Sequence, residues 1–355
     1  MRHPAGLVTD PAYLRHAPGS WPESPERLRA VLGRFASSRV HERAQLIPAR
    51  RATDRELRRI HHEEYLRRLE VLAGRGGDYL DPDTVVTAES YEVAKLAAGG
   101  CLAAVDAAFS ESGPRTSLCL VRPPGHHAFP RRGTGFCLLN NVAIAAAHAL
   151  EEHDVERVLI VDWDVHHGNG TETIFYDRRD VLYLSVHQSP LYPGTGGLAD
   201  TGEAEGQGYN VNLPLPPGAG DADSLAAFDR LFLPIARAYR PQLVLVSSGH
   251  DGHFADPLGS MCCTASGYHQ LAARMRALAE EFAGGRLIAV LEGGYHEEAL
   301  GWCLLAVFDA MAGLGMERGD VPGAPSQEAG PSPEAAHRIA QAVAIHAPGW
   351  PCLGN

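Results

Sequence analysis

Lysine is nearly absent from this chain: Lys95 is the only lysine among 31 lysine and arginine residues. Schiff-base chemistry therefore has a single candidate nucleophile. A G-x-x-x-x-G-K-[ST] phosphate-binding loop is excluded, because the lysine lies in the stretch YEVAKLAAGG. Two large classes of enzyme are thereby disfavoured.

Long apolar runs are also missing. No stretch reaches the roughly 18 apolar residues of a membrane span, and the first residues, MRHPAGLVTDPAYL, lack the basic-then-apolar order of a signal peptide. The seven cysteines are odd in number and show no C-x-x-C spacing, which favours reduced thiols over a disulfide framework or a zinc knuckle. We therefore expect a soluble, cytoplasmic protein.

Positive charge is scarce as well, since 43 acidic residues outnumber the basic ones and the formal net charge is −12. Such a chain repels a phosphate backbone, so we expect no direct nucleic-acid binding. It attracts cationic ligands, including polyamines and basic peptides.

The arrangement of apolar segments predicts an α/β protein, and the length of 355 residues allows one large domain or two ordinary ones. Short β-rich runs alternate with alanine- and leucine-rich helical stretches, which is typical of βα units around a mostly parallel sheet. The predicted strands are Ser117–Arg122, Arg157–Asp162, Val181–His187, Gln242–Ser248 and Arg286–Glu292. The predicted helices are Tyr91–Ser110, Asn141–Glu152, Ser224–Tyr239 with a kink at Pro234, Gly267–Phe282 and Glu297–Ala312. Residues 316–333 are predicted to form a surface loop before a final helix at 335–345 and a short tail, within 334–355.

Polar, chemically reactive residues cluster directly after four of these strands. The strands run into PPGHHAF, DWDVHHGNG, GHDGHFADPLG and EGGYHE. Ligands of open α/β sheets bind outside the carboxyl ends of the strands, so these segments can form one site. His148 and His153 lie on a helix outside this pattern and are interpreted as ordinary surface or helix-end histidines.

Asp164, His166 and Asp251 are the candidate metal ligands. In an extended segment residues i and i+2 point the same way, so Asp164 and His166 can reach one ion. Asp251, after a neighbouring strand, would complete a three-ligand zinc site with an open position for water. A D-x-H motif alone is more often a helix cap or loop acid beside a packed imidazole; its coincidence with three other strand ends favours the metal.

Adjacent histidines His126 and His127 usually mark a solvated loop, but two potential partners change that interpretation. Asp162 and Asn169 can each orient one imidazole. A carboxylate favours the charged ring, whereas an amide keeps the pKa of its ring nearer neutrality. If Asp162 pairs with His126 and Asn169 with His127, then His127 is the better general base.

Three aromatic residues in glycine-flanked loops are candidates for the reacting pocket. Tyr295, which follows Gly294, can donate its hydroxyl to a developing oxyanion. Phe136, which follows Gly135, and Tyr192 can line a channel. Taken singly, each of these residues is more often an ordinary packed aromatic.

Eight sequence blocks, in order along the chain, together resemble one protein family. The blocks WPESPERL, IHHEEYL, RPPGHHA, GFCLLNN, DWDVHHGNGT, SVHQSPLYPGTG, DGHFADPLG and LEGGY resemble the zinc-dependent histone deacetylase-like amidohydrolases of the arginase/deacetylase fold. The resemblance covers most of the chain and implies a single deacetylase domain over residues 1–355, with a central, mostly parallel eight-stranded sheet flanked by helices. Asn169 and LEGGY are similar to the class II branch.

The resemblance also implies roles for individual residues. One zinc ion per chain would be held by Asp164, His166 and Asp251, with His126, His127, Tyr295, Asp162 and Asn169 as the catalytic group. The substrate-binding set would be Phe136, Tyr192, Leu258, Gly135, Gly294 and, at the rim or as a plain loop acid, Asp83. Structural potassium would lie near Asp162, Asp164, His166, Ser185 and Val186, with a second ion near Phe175, Arg178, Val181 and Tyr209.

Three residues in or beside the motifs carry further expectations. His250 stands where relatives commonly have phenylalanine, a position from which it can perturb metal affinity or add a titrating group. Trp21 replaces a frequent histidine and is expected to lie remote from the chemistry. Arg27 matches a position that in relatives lines an internal cavity for departing acetate.

The predicted activity is hydrolysis of the amide of an acetylated lysine in a protein or peptide, with acetylated polyamines as the alternative substrate. In polyamine-selective relatives an acid stands at the tunnel mouth, where this chain has Leu258. Less favoured are a binuclear manganese ureohydrolase, which wants a D-x-D pair where this chain has Asp251-Gly-His253, and a non-catalytic acyl-lysine-binding module. Ferrous iron also suits the ligands, and a homo-oligomer is compatible with the sequence.

Overall fold

Short runs of branched apolar residues form the central sheet. The structure is a computed structural model that describes residues 5–316, 319–326 and 329–354. Its strands are β1 Ala5–Val8, β2 Ala44–Ile47, β3 Gly77–Tyr79, β4 Val85–Thr87, β5 Thr116–Cys119, β6 Val158–Asp162, β7 Val181–Gln188, β8 Asn210–Leu215, β9 Leu243–Ser248 and β10 Leu287–Leu291. Every residue of β6, β7, β9 and β10 is buried, because helices cover both faces of the sheet.

Helices connect most of these strands. They are α1 Pro25–Ser37, α2 Asp54–Leu57, α3 Glu63–Gly74, α4 Ser90–Phe109, α5 Asn141–Glu152, α6 Asn169–Phe175, α7 Asp221–Ala227, α8 Leu233–Tyr239, α9 Ala265–Phe282, α10 Glu297–Ala312 and α11 Pro333–His346. Helix α10 packs against α1 and α9, and α4 packs against α5. Within the part of the chain that the structure describes, no helix combines the length and hydropathy of a membrane span.

Eight strands make one parallel sheet in the order β2-β1-β5-β10-β9-β6-β7-β8, and β3 and β4 form a separate antiparallel pair. Most of the buried apolar residues between Ala5 and Trp350 form one continuous core. The predicted α/β class with a parallel eight-stranded sheet is confirmed. The strands that bear on the site, β5, β10, β9, β6 and β7, are consecutive in the sheet, so their carboxyl ends meet at one edge.

Two predicted elements differ from the structure. The strand predicted to reach Arg122 ends at Cys119; Arg122 instead turns its buried guanidinium to Glu23, with Nε 2.6 Å from Oε1. The predicted helix over 224–239 is interrupted by a π-helical turn, Phe228–Phe232, ahead of Pro234. Proline has no amide hydrogen for the preceding turn, which accounts for an interruption at that point.

The segment predicted as a surface loop, 316–333, includes residues 317–318 and 327–328, which lie outside the described residues. Its described part is exposed or half-buried except for Val321. Asp320 connects this segment to the loop after β9, because its Oδ1 lies 2.8 Å from Nε2 of His253.

Candidate active site

Three potential metal ligands converge at the edge where β6 and β9 end. Nδ1 of His166 lies 3.1 Å from Oδ1 of Asp164 and 3.0 Å from Oδ2 of Asp251. The potential ligand atoms of the three side chains all lie within 4.8 Å of one another. Both carboxylates are fully buried, and 12% of the His166 side chain is exposed. The group therefore has the donors and the spacing for one divalent ion and keeps one partly open side.

Backbone groups hold the two carboxylates in place. Asp164 Oδ2 accepts from the amide of Gly293 at 2.8 Å, and Asp251 Oδ1 accepts from the amide of Val165 at 2.9 Å. A Cβ at Gly293 would lie 2.2 Å from Asp251 Oδ2, and one at Gly249 would lie 2.0 Å from Asp164 Oδ2. Glycine is required at both positions because the backbone passes directly against the acids.

Electrostatics favour a cation between these carboxylates. Burial raises the pKa of Asp251, and the adjacent Asp164 raises it further. Burial opposes ionisation of Asp164 too, but its contacts with His126 and His166 hold its pKa below the usual range. For His166, the two carboxylates outweigh burial and raise its pKa to about 10. A positive charge between Asp164 and Asp251 would therefore stabilise both carboxylates. Two carboxylates and one imidazole are also suitable ligands for a divalent metal.

The tandem histidines have different partners. Nδ1 of His126 lies 3.1 Å from Oδ2 of Asp162, and Nδ1 of His127 lies 2.8 Å from Oδ1 of Asn169. These are the pairings under which the sequence makes His127 the better general base. The ring centroids are 4.0 Å apart, and both side chains are buried.

The pKa values of the two imidazoles shift in opposite directions. Burial opposes the charged form of His126, but the carboxylates of Asp164 and Asp162 outweigh it and raise its pKa to about 10. Burial lowers the pKa of His127 well below its usual value, and the charges of His126 and His166 lower it further. His127 is therefore neutral, with its proton on Nδ1 toward Asn169 and a free lone pair on Nε2.

Two supporting residues were not predicted from the sequence. Glu292 Oε2 accepts from the amides of Gly125 and His126, at 2.6 and 3.2 Å, and burial raises its pKa to about 7. Tyr183 donates its hydroxyl to Asp162 Oδ2 at 3.0 Å. A strand-end acid in LEGGY is a signal that could have identified Glu292; Tyr183 lies inside an apolar strand and has no such signal.

Tyr295 stands beside this group on a turn that Arg27 clamps. Nε and Nη2 of Arg27 donate to the carbonyls of Gly294 and Glu292, each at 2.6 Å. The guanidinium carbon lies 4.7 Å from the centroid of the Tyr295 ring, and the Phe136 ring lies 5.8 Å away at a steep angle. Burial raises the pKa of Tyr295 well above its usual value although Arg27 opposes this, so the phenol remains a donor.

A cavity of about 270 Å³ opens beside the tandem histidines. Its lining consists of Asp83, His127, Gly135, Phe136, His166, Leu191, Tyr192, Leu258 and Tyr295. The structure thus brings together all the predicted substrate-binding residues except Gly294, which lies in the turn before Tyr295 with φ +117°. Leu191 is an additional lining residue that sequence reasoning missed.

Trp21 is not remote from this cavity, contrary to the expectation from the sequence. Its ring centroid lies 6.0 Å from that of Phe136, which in turn packs on Tyr295. Phe136 adopts φ +67°, and its amide donates to Thr84 Oγ1 at 3.1 Å. Trp21 therefore supports the cavity wall from behind, a tertiary contact with no local sequence signature.

His250, next to Asp251, is fully enclosed. Its Nε2 lies 3.1 Å from Ser248 Oγ, and its ring packs at 4.6 Å against Tyr268. Burial lowers the pKa of His250 to about 3. It is therefore neutral at physiological pH and does not add a titrating group there.

The residues assigned to potassium lie in two places. The first set comprises Asp162, which ends β6 and pairs with Ser185 of β7, the adjacent Val186, and the candidate metal ligands Asp164 and His166. In the second set, the carbonyl of Phe175 accepts from the amide of Arg178 at 3.0 Å, and that of Tyr209 accepts from the amide of Tyr183 at 2.9 Å. Each carbonyl keeps a second lone pair. Potassium binding stays a prediction.

Asp106, His148 and His153 also bring metal-ligating atoms together, between α4 and α5. Arg59 donates to Nδ1 of His148 at 2.9 Å, so the proton of the neutral ring lies on Nε2, which donates to Asp106 Oδ1 at 2.6 Å. Both nitrogens are then engaged, and an ion-pair network explains the group. Of the two expected positions, surface or helix end, the surface is wrong for His148, which is buried in α5, whereas His153 caps the end of that helix.

Comparisons with known proteins agree with this geometry. Residues 21–311 match the histone deacetylase domain family. The chain is 42% identical over 310 residues to the Histone deacetylase-like amidohydrolase of Pseudomonas aeruginosa, covering 87% of this chain and 80% of that one. It is 39% identical over 350 residues to the Polyamine deacetylase HDAC10 of Homo sapiens, covering 93% of this chain and 50% of that one.

A solved structure agrees over nearly the whole length. The crystal structure of the HDA15 HD domain superposes with a TM-score of 0.91 at 34% sequence identity, covering 99% of this chain and 96% of that one. Family match, overall similarity and fold concur, and the resemblance seen in the sequence motifs is confirmed. This chain belongs to the histone deacetylase family of amidohydrolases.

Proposed function

We propose that this protein is a zinc-dependent deacetylase that removes acetyl groups from the Nε atom of acyl-lysine. One observation carries the proposal. Two carboxylates and an imidazole, from Asp164, Asp251 and His166, converge beside His127, whose only free nitrogen is Nε2. Metal ligands next to a neutral base are the arrangement that metal-assisted hydrolysis needs.

In the proposed mechanism the chain supplies the proton transfers and the oxyanion donor. Bound zinc would polarise the acyl carbonyl and lower the pKa of an adjacent water. His127 Nε2 accepts the proton of the attacking water, because its Nδ1 proton is held by Asn169. Tyr295 donates to the oxyanion. His126, kept cationic by Asp162 and Asp164, stabilises negative charge, and either imidazole can then protonate the leaving amine.

The cavity favours the alkyl chain of acyl-lysine. Phe136, Tyr192, Leu191 and Leu258 give it apolar walls, which suit methylene groups. Among the described residues that line it, Asp83 is the only acid, and we propose that it holds the substrate backbone.

Acetylated polyamines are the second candidate substrate. The net charge of −12 attracts them, and one relative is named a polyamine deacetylase. Leu258 opposes this substrate, because a leucine cannot pair with the distant ammonium as an acid would. We therefore favour acyl-lysine.

The remaining alternatives are less well supported. A binuclear ureohydrolase needs a second ligand from the later strand, but Nε2 of His253 lies 2.8 Å from Asp320 Oδ1, and its Nδ1 accepts from the amide of Ala255 at 3.2 Å. A non-catalytic acyl-lysine binder has no use for the proton-transfer pair His126 and His127.

Two measurements on the purified protein test the proposal. Acetate release is followed side by side from an acetyl-lysine peptide and from acetylated spermidine and putrescine. Metal analysis should give one zinc per chain, and chelation should abolish turnover until zinc is restored. A strong preference for the polyamines would replace the substrate assignment, and two manganese ions per chain would contradict the deacetylase.

A further inference from the structure

The second histidine of the DWDVHHGNG segment, His167, faces away from the metal-ligating group. Its ring is buried, and Nε2 lies 3.2 Å from Glu172 Oε2. The same oxygen accepts from the side-chain amides of Asn210 and Asn212, at 2.8 and 2.6 Å. These donors hold the pKa of Glu172 below its usual range although burial opposes them. An ionised carboxylate only accepts hydrogen bonds, so Nε2 of His167 carries a proton.

The other ring nitrogen of His167 reaches the segment that bears Tyr192. We call residues 189–197 the tunnel loop. Nδ1 of His167 lies 2.8 Å from Oγ1 of Thr195, and in the neutral ring the hydroxyl donates to Nδ1. Glu172 and Thr195 therefore engage opposite sides of the same imidazole, which links helix α6 to the tunnel loop.

A second imidazole, that of His187, also contacts the tunnel loop. Nε2 of His187 donates to the carbonyl of Gly196 at 3.1 Å, and its Nδ1 lies 2.9 Å from Ser185 Oγ. The His167 and His187 ring centroids are 4.8 Å apart. Gly196 has φ +82°, and a Cβ there would lie 2.6 Å from the His167 ring and 2.7 Å from that of His187. The loop backbone thus rests directly on both rings.

The tunnel loop, held at both ends, places Tyr192 next to His127. At its other end, the amide of Ser189 donates to the carbonyl of Leu215 at 2.8 Å. Between the anchors, the Tyr192 ring lies 5.2 Å from the His127 ring at a near-perpendicular angle. Tyr192 is 43% exposed, so its place depends on the loop more than on packing.

We infer that His167 is a positioning residue that, backed by Glu172, fixes the tunnel loop so that Tyr192 contacts His127. The kinetic consequence rests on the proposed deacetylase function, but the anchoring does not. Loosening the anchor should weaken substrate capture by Tyr192 and leave the proton transfer of His127 largely intact.

Thr195→Val tests this with little risk to folding, because Thr195 is exposed and valine keeps its shape. His167→Gln keeps an amide donor on the Glu172 side and loses the contact with the hydroxyl. Each should raise KM for an acetyl-lysine peptide about threefold to tenfold, the range expected for one hydrogen bond, with kcat within about twofold. Thr201→Val is the matched control and should change nothing, since its hydroxyl contacts the Gln207 side chain.

Additivity distinguishes positioning from general damage. Because both changes break one hydrogen bond, Thr195→Val with His167→Gln should cost no more than either alone. Thr195→Val should also add nothing in a Tyr192→Ala background. Multiplicative losses in either combination would overturn the inference.

Hydrogen–deuterium exchange supplies a readout that needs no activity. Amides of 189–197 should exchange about threefold to tenfold faster in Thr195→Val and His167→Gln than in the wild type or Thr201→Val. Unchanged exchange would overturn the anchoring. A wild-type protein inactive on acetyl-lysine would instead contradict the proposed function and leave the exchange comparison valid.

Discussion

Asn169 Oδ1 accepts the Nδ1 proton of His127 at 2.8 Å, which places a neutral amide behind the proposed base. Asn169→Asp puts a negative charge there and should raise the pKa of His127. The base must be neutral to accept a proton, so a higher pKa reduces the active fraction at low pH. The acidic limb of the kcat/KM profile should move up by about one to two pH units.

Gln207→Glu is the control for this change, because it adds the same charge on the surface. Its profile should coincide with that of the wild type. An acidic limb that stays in place in Asn169→Asp would mean that His127 is not the group titrating there.

Tyr295→Phe removes the phenol that we assign to the oxyanion and keeps the ring between Arg27 and Phe136. Turnover should fall by about 10²- to 10³-fold, the loss expected for one oxyanion donor. Zinc content should not change. Tyr79→Phe, at a tyrosine that is 56% exposed, is the control. Near-normal turnover in Tyr295→Phe would refute the assigned role.

Leu258→Glu places a carboxylate on the cavity lining. A charge there should attract the distant ammonium of acetylspermidine and shift the ratio of kcat/KM for this polyamine over the acetyl-lysine peptide about tenfold upward. The control Leu46→Glu adds its charge at an exposed leucine of β2 and should not alter the ratio. An unchanged ratio in Leu258→Glu would show that this position does not read the substrate.

His61 should make folding stability depend on pH. Its Nδ1 donates to the carbonyl of Phe129 at 3.0 Å, and its Nε2 accepts from the amide of Asn140 at 2.9 Å. A proton on Nε2 would break the second bond, and burial lowers the pKa of His61 to about 4. Between that value and about 6.5 the unfolded chain binds the proton and the folded chain does not. Stability is therefore full above this window and falls by about 3 kcal/mol as pH drops through it.

Urea unfolding from pH 7 to 4 measures this effect. His61→Gln should remove about 3 kcal/mol of the pH-dependent loss, although it also lowers stability at pH 7. His337→Gln, at an exposed histidine, should keep the wild-type dependence. A variant at His61 that retains the full slope would contradict the assignment.

The place of the candidate site follows from the sequence because parallel strands end at a common edge. Residues directly after β6 and β9, such as Asp164 and Asp251, are therefore neighbours whatever their separation along the chain. Asp162 and Asn169 can be identified as possible partners of His126 and His127, because both lie in the DWDVHHGNG segment, at the end of β6 and the start of α6.

Contacts between distant segments could not be predicted in this way. Trp21 behind Phe136 and Glu292 beneath His126 depend on how loops from different strands pack, and a single sequence carries no periodicity for that. Strands β1, β2 and β8 of the central sheet are not among the predicted strands; β1 and β2 span only four residues each, and the exposed Leu46 gives β2 no apolar run. Short apolar runs of this kind do not distinguish a strand from a helix, so such weak patterns cannot identify these strands.

The order of strands in the sheet has a consequence for the nascent chain. Asp251 follows His166 by 85 positions, yet β9 inserts directly beside β6. A fragment that stops before β9 therefore lacks Asp251, the third candidate ligand, and the strand that lies beside β6. A fragment that stops between β9 and Tyr295 would still lack the proposed oxyanion donor, so under the proposed function hydrolysis requires the chain at least through Tyr295.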